Sequence, residues 1–179
     1  MKRTYKITII ALLSVTMIIS SCKKEVDGCT DSSAMNYLSD ATSNDGSCIF
    51  AYAIAQGIWN IEPDCESYTI PVVGTEISLN EQLPDTINVQ GAGNNLLYIV
   101  INQTQVDGQI DNLGNITVSK QTISIEMDGI GQIPVDVKGT GIIESSNSGN
   151  MDLTYIFELD IVPGFPIKDS LDCSISLLR

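Results

Sequence analysis

From Ala51 onward the chain is written in short runs of apolar residues, most of them alternating with polar ones. The clearest run is Met151 to Ile161. Met151, Leu153, Tyr155, Phe157, Leu159 and Ile161 take one parity, Asp152, Thr154, Glu158 and Asp160 the other, and Ile156 alone breaks the polar set. A period of two places the first set on one face of a β-strand and the second on its opposite, so one face is buried and the other wet. Ile123, Ile125 and Met127 alternate with Ser124 and Glu126 in the same way, as do Ile133, Val135 and Val137 with Asp136 and Lys138. Leu96 to Ile101 is continuously apolar, which predicts a strand covered on both faces, by the small N-terminal segment or by a neighbour. Polar and glycine-bearing turns fall at Gly91 to Asn95, Asp111 to Asn115, Asp128 to Gly131 and Ser145 to Asn150. Strands this regularly spaced, with no long helical period beyond the N-terminal apolar run, predict an all-β domain over residues 51–179. Its architecture is either an antiparallel up-and-down barrel or a β-sandwich.

The N-terminus has a different texture. Lys2, Arg3 and Lys6 precede an apolar run from Ile7 to Ile19, and Ser20 and Ser21 lead directly into Cys22, followed by Lys23, Lys24 and Glu25. A retained membrane anchor is one reading, although the run is at the short end for a hydrocarbon core of ~30 Å. The tripartite pattern resembles a bacterial lipoprotein signal peptide with its lipobox. That resemblance implies removal of residues 1–21, acylation of Cys22, and a body held at a bilayer, the bacterial outer membrane, on its periplasmic or cell-surface face, through a tether of residues 22–27.

Residues 28–48 read GCTDSSAMNYLSDATSNDGSC, too polar to bury a core unaided. With Cys22 acylated, four cysteines remain for two disulfides in an exported chain, and three pairings are open. Cys29 and Cys48 bound this one short segment, while Cys65 and Cys173 sit near the two ends of the longer β-rich region, so the expected pairs are Cys29 with Cys48 and Cys65 with Cys173. The segment is similar to a small cysteine-bounded repeat of surface and adhesin proteins in diderm bacteria, with Asn44 where that repeat has an acid and Met35 at a position often held by cysteine. Asp31, Asn36, Asp40, Asn44 and Asp45 offer hard oxygen ligands for calcium. They do not follow the EF-hand order, because Gly46 is preceded at the ligand offsets by Ala41, Ser43 and Asp45. Their alternative use is to cap turns in Asx motifs.

Two features favour a barrel over a sandwich. Gly57-Ile58-Trp59 resembles the glycine-x-tryptophan signature that opens lipocalin-like barrels, where the indole plugs the closed end. A bridge from Cys65 to Cys173 requires the first and last strands to meet, as they do when a barrel closes. The resemblance to lipocalin-like domains of bacterial lipoproteins covers roughly Gly57 to Arg179. It implies an apolar interior, with Trp59, Tyr98, Tyr155 and Phe157 as the aromatic residues that line or close it, or that fill the core. A basic residue packing over the tryptophan is not evident, and Arg179 is the only arginine after the leader.

Charge and missing chemistry narrow the function. Nine basic residues less Lys2, Arg3 and Lys6 leave six against 22 acidic ones, a formal charge of −16 after cleavage. No basic cluster supplies the phosphate contacts that nucleic acid demands. The chain has no histidine, which excludes histidine-dependent nucleophiles and histidine zinc sites. Acidic residues fall at turns and on wet strand faces, so a solvated surface outweighs a catalytic acid pair. The expectation is a non-enzymatic envelope lipoprotein without a cofactor beyond the candidate calcium. Its barrel binds a small apolar or amphipathic molecule, or its filled body docks to an envelope protein in adhesion or assembly. Asp85-Thr86-Ile87 and Asp169-Ser170-Leu171 also match a short bacterial O-glycosylation pattern.

Overall fold

Eight of the strands written into this pattern close on themselves. The computed structural model describes residues 24–69, 74, 76–101, 104–127, 131–162 and 165–179. Residues 1–23, on which the expected leader and Cys22 fall, and most of the Asp128 to Gly131 turn lie outside the described residues. In chain order the elements are β1 (Asp27–Gly28), β2 (Ser43–Asn44), helix α1 (Ala51–Ala55), β3 (Gly57–Cys65), β4 (Ser67–Thr69) and β5 (Glu76–Ser78). They are followed by β6 (Thr86–Gly93), β7 (Leu96–Ile101), β8 (Thr104–Ile110), β9 (Asn115–Met127), β10 (Gly131–Ile143), β11 (Ser148–Val162) and β12 (Phe165–Leu178). Strands β3 and β6 to β12 form a closed barrel in sequence order. Every neighbouring pair is antiparallel, including β12 with β3. The architecture is the up-and-down barrel, not the sandwich.

Alternation decides which side chains fill the interior. On β11, Tyr155 and Phe157 are buried while Asp152 and Glu158 are exposed, and β12 buries Leu171, Cys173, Ile175 and Leu177 on one parity. Burying an aliphatic or aromatic side chain of this size contributes roughly 1.5–3 kcal/mol. The closing seam pairs Cys173 with Cys65 and Leu177 with Ile61, and the Cys65–Cys173 disulfide crosses it. In β7 the continuous apolar run is not covered on both faces. Leu97 is buried, but Val100 is 55% exposed and Leu96 is also exposed, because the N-terminal segment packs elsewhere and no described neighbour lies over this face. At the β6–β7 hairpin, Asn94 and Asn95 take φ of 51° and 60°, the left-handed pair that a two-residue turn between twisted strands requires.

The barrel has an irregular wall and one plugged end. Strands β8 and β9 pair only at Gln109 with Thr117 and Ile110 with Ile116. Farther along, the Gln121 carboxamide takes the place of the ladder, accepting from the Asp107 amide at 2.9 Å and donating to its carbonyl at 2.7 Å. Helix α1 lies across the plugged end. Its Tyr52 hydroxyl accepts from the Gly93 amide at 2.7 Å and, with the Gln56 carboxamide, occupies the space that a Cβ on Gly91 would need, so a larger residue there would have to displace them. The cysteine-bounded segment is closed by the Cys29–Cys48 disulfide, as expected, and by the parallel β1–β2 pair. It meets the barrel at the β8–β9 turn, where Met35 reaches Gly114.

Candidate functional site

Inside the barrel, the inward residues leave a cavity of about 120 Å³ to which all eight strands contribute. Its walls are almost wholly aliphatic and include Val89, Ile99, Val106, Ile123, Leu153 and Ile175. Gly108 adds to the room, because it brings no side chain to an inward position of β8.

The floor is built at the plugged end. Trp59 is fully buried, and its Nε1–H donates to the Ala55 carbonyl at 2.8 Å, which joins α1 to the start of β3. Over the indole ring lies the guanidinium of Arg179, 3.9 Å from the ring centroid. Arg179 is thus the basic residue over the tryptophan that was not evident in the sequence. It arrives beside Trp59 only because β12 closes the barrel against β3.

The opposite end is covered by the excursion between β3 and β6. Residues 79–83 form one helical turn, with the Leu83 amide donating to the Leu79 carbonyl at 3.2 Å. An i, i+4 spacing puts both leucines on one face. Both line the cavity, and Leu79 is 1% exposed. Asn80 fixes this turn to the barrel rim, accepting from the Cys65 amide at 2.8 Å. Beside it, Tyr68 of β4 meets Phe157 edge to face, with centroids 5.4 Å apart. The two leucines had no signal in the sequence beyond their spacing, since a single turn is too short to show a period.

The four aromatic candidates divide among different places. Trp59 is fully buried at the plugged end, where it bonds the cavity-lining Ala55 but is not itself on the lining. Tyr155 lines the cavity wall and is 3% exposed. Burial alone pushes its phenol up from 10.0 to about 12. Phe157 packs under Tyr68 near the covered end. Tyr98 takes the outward parity of β7, and its hydroxyl donates to Gln90 on the outer surface at 3.0 Å. It touches the cavity wall without pointing its ring into it, because β7 sends Leu97, Ile99 and Ile101 inward instead.

In the cysteine-bounded segment, the five candidate calcium ligands serve mainly as turn caps. Asp31 accepts from the Ser33 hydroxyl at 2.7 Å and amide at 2.9 Å, and these bonds hold its carboxyl below the usual carboxylate range. Asn44 accepts from the Gly46 amide and Asp45 from the Ser47 amide, and the bonds to Ser47 lower Asp45 as well. Asn36 bridges the Ser47 carbonyl and the Ile49 amide. Asp40 is exposed and makes no side-chain bond among the described residues. No group of three or more acidic, cysteine or histidine side chains is gathered for a metal ion among the described residues.

No protein-family model matches the chain. No curated protein matches it either. Among solved structures, an auxiliary nutrient binding protein from Bacteroides thetaiotaomicron is similar at 11% identity and a TM-score of 0.28, over 69% of this chain and 46% of that one. The chain therefore spans less than half the length of that protein, and the functional reading rests on the barrel itself.

Proposed function

We propose that this protein is a non-enzymatic envelope lipoprotein, anchored through acylated Cys22 to the bacterial outer membrane, whose barrel binds a small apolar or amphipathic molecule. The observation that supports this is the aliphatic cavity inside the barrel, with Leu79 and Leu83 at one end and Ala55, the residue that Trp59 bonds, on its lining. Its 120 Å³ is smaller than the ~300–1,000 Å³ of drug-sized pockets, and close to an engineered apolar cavity of ~150 Å³ that accepts benzene. The ligand in this reading is therefore a ring or a short chain. Native mass spectrometry after exposure to a lipid and metabolite extract of bacterial envelopes tests it. A retained small molecule, lost on denaturation and absent from a Val106→Trp variant with a blocked cavity, is the expected result; a clean apo mass for both proteins would count against it. Anchoring has its own test, incorporation of a labelled fatty acid that is abolished by Cys22→Ala.

A second reading makes the body an adhesion or assembly subunit. It draws on the cysteine-bounded segment and on the uncovered Leu96 and Val100 of β7. Co-purification of a partner from intact envelopes, lost on Val100→Asp, would favour it.

A further inference from the structure

Tyr155 brings to the cavity a polar group that no described part of the fold uses. Among the described residues, nothing hydrogen-bonds the Tyr155 hydroxyl, and burial is the sole cause of its raised pKa. Yet no side-chain polar atom among the described residues is both sealed in and unpartnered. Tyr155 is nearly buried and lines the cavity, and no described residue takes up its hydroxyl.

Water is a poor occupant for that position. A buried water needs two to four polar partners, and the described strands of the barrel send it one inward polar side chain. Of the other polar residues on the lining, Asp107 and Ser124 take outward positions on β8 and β9, and Gln82 belongs to the turn over the roofed end. Among the described residues, no lysine or arginine lines the cavity. A carboxylate or phosphate brought inside would be desolvated without a counter-charge, which is strongly unfavourable.

Resting on the reading of the barrel as a ligand binder, we propose that Tyr155 is its specificity-determining hydrogen-bond donor. The ligand is then an uncharged, largely hydrocarbon molecule of about benzene size, with one acceptor oxygen, such as a ketone, ester or ether. The aliphatic wall recognises the hydrocarbon, and the phenol selects the oxygen. A hydrocarbon of the same shape leaves the hydroxyl unpaired, and an acid leaves its own charge unpaired. The site thus discriminates in both directions.

The test compares cyclohexanone, its hydrocarbon isostere methylenecyclohexane, and hexanoate, binding to the full chain and to Tyr155→Phe, read from methyl NMR shifts of Ile99 and Leu153. The ketone should bind the unchanged protein roughly five- to tenfold more tightly than the Phe variant, the worth of one hydrogen bond. The hydrocarbon should bind both alike and hexanoate neither. A downfield shift of the bound ketone's carbonyl carbon gives a readout that needs no variant. A ketone preference unchanged by Tyr155→Phe, or hexanoate binding as tightly as the ketone, would overturn the assignment while leaving the barrel a binder. Silence of all three compounds in both proteins would overturn the barrel-binding reading and this inference with it.

Discussion

Arg179 stacks on Trp59 and at the same time ties together three stretches of backbone that meet at the plugged end. Its Nη2 donates to the Gln56 carbonyl at 2.6 Å, its Nε to that of Ile58 at 3.1 Å, and its Nη1 to that of Ser146 at 3.3 Å. These carbonyls belong to the residues after α1, the start of β3 and the β10–β11 turn. Replacing Arg179 with Ala should destabilise the fold by about 2 kcal/mol, combining an exposed cation–π contact with part of three hydrogen bonds. Lysine should restore less than half, since an ammonium cannot stack and fork at once. The urea unfolding midpoint measures both.

Loss of the barrel disulfide should matter more than loss of the small one. Cys65 and Cys173 are 108 residues apart and Cys29 and Cys48 are 19 apart. In the chain-entropy model the longer loop contributes about 4–5 kcal/mol and the shorter about 3. The paired Cys65→Ala and Cys173→Ala variant should therefore show the larger drop in Tm by calorimetry. It should also loosen the roofing turn, which Asn80 holds to the Cys65 backbone.

The patch in the barrel wall gives a local prediction. Gln121→Ala removes both partners of the Asp107 backbone, where β8 and β9 no longer pair directly. An unsatisfied buried backbone group costs about 1–3 kcal/mol. Hydrogen exchange at the Asp107 amide should accelerate strongly, while amides on β11 and β12 change little.

Stability should fall in acid. Asp31, Asp45, Asp111 and Asp136 all have carboxyls held below the ordinary value of 3.8, Asp111 by its bonds to Asn115 and Asp136 by Lys120 and Thr122. A carboxylate with a lowered folded-state pKa stabilises fully above its unfolded value, and that contribution disappears as pH falls through the folded one. The urea midpoint should therefore decline from about pH 4 downward. Asp111→Asn should flatten the decline, having surrendered its share already at neutral pH.

At the alkaline end the sign reverses. The Tyr155 phenol ionises at 10.0 in the unfolded chain and at about 12 when buried, so its contribution is complete below pH 10.0 and is lost as pH rises toward 12. Absorbance titration at 295 nm should show a tyrosine step near pH 12, and Tyr155→Phe should remove it.

Much of this fold was legible because barrel walls are half wet. The alternation in β11 marks its inward face directly, and the position of the cysteines foretold both bridges. Where the physics is non-local, the pattern was silent. Arg179 and Trp59 lie 120 residues apart, and only the register of β12 on β3 brings them together. The apolar β7 looked like a doubly covered strand because composition cannot tell an uncovered outer face from a packed one. The same limit hid the outward parity of Tyr98. The roof formed by Leu79 and Leu83 was missed because one helical turn between polar loops has no period to detect.

Closure of β12 on β3 also changes what a cut in this molecule can do. With its first and last barrel strands covalently joined through Cys65 and Cys173, the body is a ring, and the hairpins between them are points on its circumference. A protease that severs one hairpin, for instance at Ser145 to Ser148, opens the ring without dividing it, and both halves stay attached to the N-terminal segment. Releasing the barrel whole from the N-terminal segment would take a cut outside both covalent loops, before Cys29 or between Cys48 and Cys65.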